Sequence, residues 1–249
     1  MNVIYLTFKN YGLTVAGDKT VSMSWNTPEE TRNSKSLITV RGEDLGNVRT
    51  FKYLGHVLAD DPNKLQHITQ QISSAWAKWA EIKDVLTDKE VKMTTRVRML
   101  EAMVRSRLVY AVQTERLRAS ERDKLDSLWM NFCRKLVKGR FSKKKNMDGE
   151  DTYVYKYNAS EILKICRTSR ASEFCLKQHV KYMAHITRMP NSSEQKQWLF
   201  TKAVHKYTQN QWIALGQDLG GLDEMHVRRM LFNWKELNAW LRRHESQWT

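Results

Sequence analysis

At Asp60-Asp61-Pro62 the apolar residues of this chain change their period, and the change separates two kinds of structure. Downstream, Ile68, Ile72, Ala75, Trp79, Ile82 and Leu86 recur at steps of four, three, four, three and four. Such residues share one face only in an α-helix, so a long amphipathic helix is predicted here. Aspartate before proline is helix-start chemistry, because a carboxylate accepts orphan backbone N–H groups and proline tolerates the first turn. Asp60 and Asp61 are therefore expected to cap this helix.

Upstream the pattern is that of short strands. Ile4, Phe8 and Tyr11 keep helical spacing and predict a first helix over residues 1–11. Gly12-Leu13-Thr14-Val15 then turns into a strand, Gly17-Asp18 is a turn, and 20–25 and 36–41 read as further strands. A fourth, 48–58, is expected to bend at Gly55. Together they predict a small antiparallel sheet that needs helices packed on one face.

Beyond Thr87-Asp88, Val97, Leu100, Val104 and Leu108 form a second stripe. Ser120 is expected to cap a third helix that turns Leu125, Leu128, Trp129, Phe132 and Leu136 inward. A polar segment at 146–151 is the best domain boundary. Helices then follow from Asn158, over 172–189 up to Pro190, and near 195–212. After Gly220-Gly221, Asp223 caps a last helix with the stripe Val227, Met230, Leu231, Trp234, Leu237 and Leu241. The fold class is mainly α with a small antiparallel β-sheet at the N-terminus (α+β), divided as 1–61, 62–145 and 146–249.

Charge narrows the function. Lys and Arg exceed Asp and Glu by 42 to 27, a net +15, which favours polyanionic partners and above all nucleic acid. Residues 88–145 hold seventeen basic and seven acidic side chains, so ten of the fifteen net charges lie there. Arg96, Arg98, Arg105 and Arg107 flank the second stripe, and Arg134, Lys135, Lys138, Arg140, Lys143, Lys144 and Lys145 form a basic end. These are the candidate phosphate contacts. No stretch has the apolar length of a membrane span, and no leader pattern opens the chain. Three cysteines, an odd and small number, fit a reducing, intracellular compartment, nucleus or cytoplasm.

The order of several motifs resembles a known family. Gly12-Leu13-Thr14-Val15, Lys19-Thr20, Met23 and Phe51-Lys52-Tyr53-Leu54-Gly55 look like the end of the palm in reverse transcriptases of non-LTR (LINE-type) retrotransposons. The run from Arg98 to Tyr110 is similar to the family's thumb helix, with its "leucine–tyrosine–glycine" phrase. Leu128-Trp129 through Leu136 resembles the next helix, and His185-Ile186-Thr187-Arg188-Met189-Pro190 a later "glycine–histidine–valine–x–arginine–methionine" phrase. Departures are Ala16 for the usual Asn, Ala111 and Ala184 for Gly, and Met183 for an aromatic residue.

The resemblance implies a palm end, thumb and connector. It implies a primer grip at the hairpin carrying Lys52, Tyr53 and Gly55, whose small residue lets a nucleic-acid backbone come close. Phe51 and Leu54, Leu54 above all, are expected in the core. Lys19 resembles the palm lysine that assists pyrophosphate departure. The family's metal-binding aspartates precede the Gly12-Leu13 segment, so no catalytic residue, metal ligand or cofactor is expected in this chain, and Mg2+ only in a full-length polymerase. Asp60-Asp61 imitates the missing pair, but one adjacent pair cannot hold two ions about 3.5–4 Å apart.

Cys166, Cys175, His179 and His185 lack the short spacings of a structural zinc site and read as core groups. The expected partners are RNA and DNA template-primer, together with the upstream polymerase region. A helical protein-interaction module descended from such an element, or a translated relic, is the alternative.

Overall fold

The computed structural model describes residues 2–24, 38–40, 43–60, 66–114, 117–138, 142–145, 151–154, 156–200 and 205–245. The chain is mainly helical, with small antiparallel β structure near its N-terminus. It divides into two compact units, Met1–Gln70 and Gln71–Thr249.

The first unit opens with helix α1, Asn2–Asn10, followed by a left-handed turn at Gly12 (φ +74°). The strand expected at 13–15 is absent, and these residues run on as irregular chain to the 3-10 turn Gly17–Lys19. Strands β1 (Val21–Ser22), β2 (Thr39–Val40), β3 (Glu43–Asp44) and β4 (Gly46–Asn47) are two residues each. Among the described residues β1 pairs with β4 in parallel and β2 with β3 antiparallel, as separate two-stranded pieces in place of the expected single sheet. Parts of the expected 20–25 and 36–41 strands lie outside the described residues.

The segment 48–58 is not one bent strand but a hairpin of β5 (Thr50–Tyr53) and β6 (His56–Ala59), in register Phe51 with Leu58 and Tyr53 with His56. Leu54 (φ +48°) and Gly55 (φ +84°) both occupy the left-handed region. Two such residues make the primed turn whose twist matches the flanking strands. Turning the chain there puts Leu54 at the tip, 75% exposed, and leaves Phe51 exposed as well, so neither takes the expected core place.

Asp60 continues the hairpin ladder. Its N–H donates to the Arg49 carbonyl at 3.0 Å, and its Oδ2 accepts from Arg49 Nε at 3.0 Å. The carboxylate is buried beside Arg49. Asp61 and Pro62 lie outside the described residues.

That helix, α2 (Gln66–Thr87), buries Ile68, Ala75, Trp79, Ile82 and Leu86 as the stripe predicts, with Ile72 half-buried. In the second unit, Trp76 and Trp79 of α2 lie on Phe132 of α5 (Ala119–Val137), with ring centroids 4.7 and 5.1 Å apart. Between them come α3 (Met93–Met99), a wide π turn (Leu100–Arg105) and the short α4 (Ser106–Leu108), which bury Val97, Leu100, Val104 and Leu108. The start of α5 is organised by Glu121, whose carboxylate accepts the Arg118 N–H at 2.7 Å; Ser120 lies inside the helix and is not its cap.

An unexpected hairpin, β7 (Ser142–Lys145) with β8 (Asp151–Val154), flanks the polar segment at 146–150. Helix α6 (Ala159–Cys166) starts at Asn158, whose Oδ1 accepts the Glu161 N–H while Glu161 accepts the Asn158 N–H. It packs with α7 (Ala171–Arg188) against α5, so helices on both sides of 146–150 share one unit.

Helices α8 (Glu194–Phe200) and α9 (His205–Asp218) follow. Asp223 caps α10 (Glu224–Phe232) through the His226 N–H at 2.8 Å. The single last helix expected is two, because Asn233 leaves helical geometry and its side chain accepts the Lys235 and Glu236 N–H groups that open α11 (Trp234–Glu245). Val180, Met183, Trp212, Leu215, Val227, Met230, Leu231, Leu237, Trp240 and Leu241 close one core among α7, α9, α10 and α11. Trp234 remains exposed. No helix among the described residues is long and apolar enough to cross a membrane.

Candidate nucleic-acid interface

The hairpin tip of the first unit is solvent-facing. Lys52, Tyr53 (58%) and Leu54 are exposed, and Gly55 completes the turn. Lys19 is exposed at an open cleft of about 380 Å³ that it lines with Thr20, Val21, Met23, Phe51 and Leu58. Lys19 and the Thr50–Ala59 hairpin are thus neighbours within this unit. Nearby, His56 Nδ1 and His67 Nε2 lie 3.1 Å apart, so the hairpin's second strand is bonded to the first turn of α2.

The four arginines of residues 96–107 are not placed alike. Arg96 is spent on the fold: its Nε donates to the Val91 carbonyl, and its Nη1 to those of Leu86 and Leu136. Those carbonyls end α2 and α5, where a cation is favoured by the helix dipole. Arg105 is 13% exposed, pairs with Glu101 at 2.9 Å, donates to the Thr168 hydroxyl at 3.1 Å, and stacks 4.2 Å over Phe174. Burial pulls its pKa down, and the Glu101 carboxylate opposes that pull. Both arginines are inside the protein's own hydrogen-bond network, which is a physical reason to remove them from the nucleic-acid set.

Arg98, Arg107, Lys138 and Lys145 are exposed. Arg107 lies close to Glu81 of α2, whose carboxyl is held below its usual pKa first by Lys78 and then by Arg107. Arg134 and Lys135 are half-buried. Lys135 Nζ sits 4.5 Å above Trp76, and Arg134 lines a cleft that it shares with Asp123, Asp126 and Arg170. Arg140 lies outside the described residues, as do the side chains of Lys143 and Lys144, whose backbone forms β7.

The cysteines are core groups. Cys133, Cys166 and Cys175 are all free and buried, with Cys133 of α5 hydrogen-bonded to Cys166 of α6. That bond, then burial, pushes the Cys133 thiol up, and burial pushes Cys175 up to about 12. Thiolate is the reactive form, so a thiol-reactive disulfide reagent at pH 8 should modify the native protein slowly and the urea-unfolded protein at once. Rapid reaction of two or more thiols without denaturant would contradict this packing. Among the described residues no three His, Cys, Asp or Glu side chains gather as a metal site.

A second basic site was missed by sequence reasoning. Arg167, Lys177 and Lys181 line a notch of about 290 Å³ together with Glu101, Arg105, Thr168, Glu173 and Phe174. Its only sequence signal is the spacing of Phe174, Lys177 and Lys181 along one face of α7.

Compared with protein-family models, with curated proteins and with solved structures, the chain matches none.

Proposed function

We propose that this chain binds RNA or DNA template-primer as the palm end, thumb and connector of a non-LTR-type reverse transcriptase, and does not polymerise by itself. The observation that carries the reading is the hairpin tip. An exposed leucine in left-handed backbone is unfavourable twice, since asparagine or glycine would suit both the turn and the solvent. A surface that a nucleic-acid strand packs against accounts for an apolar residue there, beside Lys52 and Tyr53. Ala111 adds support: it stands where the family has glycine, and its φ of +60° is the conformation glycine adopts without steric cost.

The chemistry on offer is binding alone. Exposed Arg98, Arg107, Lys138 and Lys145 neutralise phosphates and release counterions, which makes affinity fall steeply with salt. Asp60, the nearest imitation of a catalytic carboxylate, is committed to Arg49. Lys19 keeps a surface position without a reaction to assist. The exposed apolar side chains Val3, Leu6, Tyr11 and Leu13 favour a protein contact as well, for which the upstream polymerase region is the partner proposed.

Fluorescence anisotropy with a labelled RNA–DNA template-primer tests the reading. Leu54→Asn should weaken binding at least fivefold without lowering the melting temperature. Arg98→Ala and Arg107→Ala should each reduce the slope of log affinity against log salt by about 1. Salt-independent binding, or full affinity in all three variants, would refute it. Template-dependent extension of the primer in the presence of Mg2+ would overturn the non-polymerising part.

A further inference from the structure

The notch between α7 and the Arg167–Ser169 segment is built at some conformational cost. The π turn Leu100–Arg105 directs Glu101 and Arg105 toward Thr168, and such wide turns concentrate at functional sites. At the other wall, α6 ends with Arg167 in left-handed backbone (φ +48°), where the Thr168 N–H bonds back to the Leu163 carbonyl at 3.1 Å. Helices closed in this way usually place glycine at that position. An arginine there strains the backbone and sets a cation at the notch.

The charges around the space are unequal. Arg105 and Glu101 neutralise each other at the floor. Glu173 accepts the Arg170 N–H at 3.0 Å, and burial raises its pKa. Arg167, Lys177 and Lys181 then face one remaining carboxylate, leaving an excess of two positive charges around a space of about 290 Å³. Gln178 and Thr168 add neutral polar groups. A phosphate suits such walls, because ammonium and guanidinium groups supply several charge-assisted donors to its oxygens.

We propose that this notch binds the phosphodiester backbone of a single nucleic-acid strand, through Arg167, Lys177 and Lys181. The proposal rests on the nucleic-acid reading above, and deepens it with a contact set on α6 and α7, apart in sequence from the thumb arginines. Two phosphates of one strand carry the charge that the notch lacks.

The full chain should be titrated with labelled oligothymidylate, and separately with inorganic phosphate and a nucleoside triphosphate as competitors. Arg167→Gly relieves the backbone, so it should keep or raise the melting temperature while weakening oligothymidylate binding at least fivefold. Lys177→Gln with Lys181→Gln should weaken it about tenfold and flatten the salt slope by about 1.4. Ultraviolet crosslinking should recover the strand on the peptide that contains Phe174. Full affinity in both variants, with wild-type binding intact, would overturn the notch while the hairpin reading stood. Loss of binding in these variants but not in Leu54→Asn would uphold the notch and overturn the hairpin. Competition by the triphosphate at concentrations that leave an equal charge of inorganic phosphate inert would replace the strand with a free nucleotide. Absence of any binding by wild type would sink both proposals.

Discussion

Arg105→Met is expected to destabilise the helical unit by about 3 kcal/mol, and Glu101→Gln with Arg105→Met, which removes both charges, to leave the salt slope of nucleic-acid binding unchanged. The guanidinium is shared among the Glu101 carboxylate at 2.9 Å, the Thr168 hydroxyl at 3.1 Å, and the faces of Phe174 at 4.2 Å and Trp129 at 5.4 Å. Removing it strands Glu101, which also accepts from the Thr168 hydroxyl at 2.7 Å, in a half-buried place. An uncompensated buried charge usually costs about 3–5 kcal/mol; the lower end applies because Glu101 keeps some contact with water. The stacked cation over Phe174 is lost with it, a further part of the same figure.

Urea unfolding followed by tryptophan fluorescence measures this directly. The double variant Glu101→Gln with Arg105→Met should recover part of the loss, since both charges leave together. A single variant as stable as wild type would mean that Arg105 is not a core group. A flattened salt slope in the double variant would return Arg105 to the phosphate contacts.

Arg105 also marks where sequence reading stops. Its neighbours Leu100, Val104 and Leu108 were legible because apolar side chains at helical spacing have one favourable place to go. The same holds for the stripes of α2 and α5, whose members are buried or half-buried as predicted. A charged residue beside such a stripe has two: solvent, or a partner brought from far along the chain. Thr168 is sixty-three residues away from Arg105, and Leu136 forty from Arg96, and no local pattern announces either.

The hairpin was misread for a different reason. Phe51 and Leu54 are apolar and flank a strand pattern, so burial is the natural expectation. Which face of the strand, and whether Gly55 bends or reverses it, depends on the backbone angles of Leu54. Likewise no local pattern announces that Arg49 sits directly across the ladder from Asp60 and pairs with it. Lys177 and Lys181 share a face of α7, but Arg167 ends another helix, and its approach to that face is tertiary and leaves no trace in spacing.

The second large effect concerns a glycine with no left-handed angle to explain it. Gly216 lies in α9, and a Cβ added there would sit 2.0 Å from the Leu222 carbonyl oxygen and 3.3 Å from Val227 Cγ2. The oxygen is backbone and cannot swing aside. It is held there because the Gly216 carbonyl accepts the N–H groups of Gly221 at 3.0 Å and Leu222 at 2.9 Å, folding the turn back onto the helix end. Gly216→Ala must therefore push the turn away, break one or both bonds, and lift buried Val227 from the core that α10 shares with α7 and α9. A loss of about 3 kcal/mol or more is expected, from overpacking together with broken hydrogen bonds. Gly220→Ala is the control: its Cβ meets nothing within 4 Å, and only the φ of +93° opposes it. That change should cost about 1 kcal/mol. Trp212 and Trp240 lie in the affected core and report both melts by fluorescence. Equal costs for the two glycines would show that the turn yields to the methyl group, and that α10 is not fixed by its approach to Gly216.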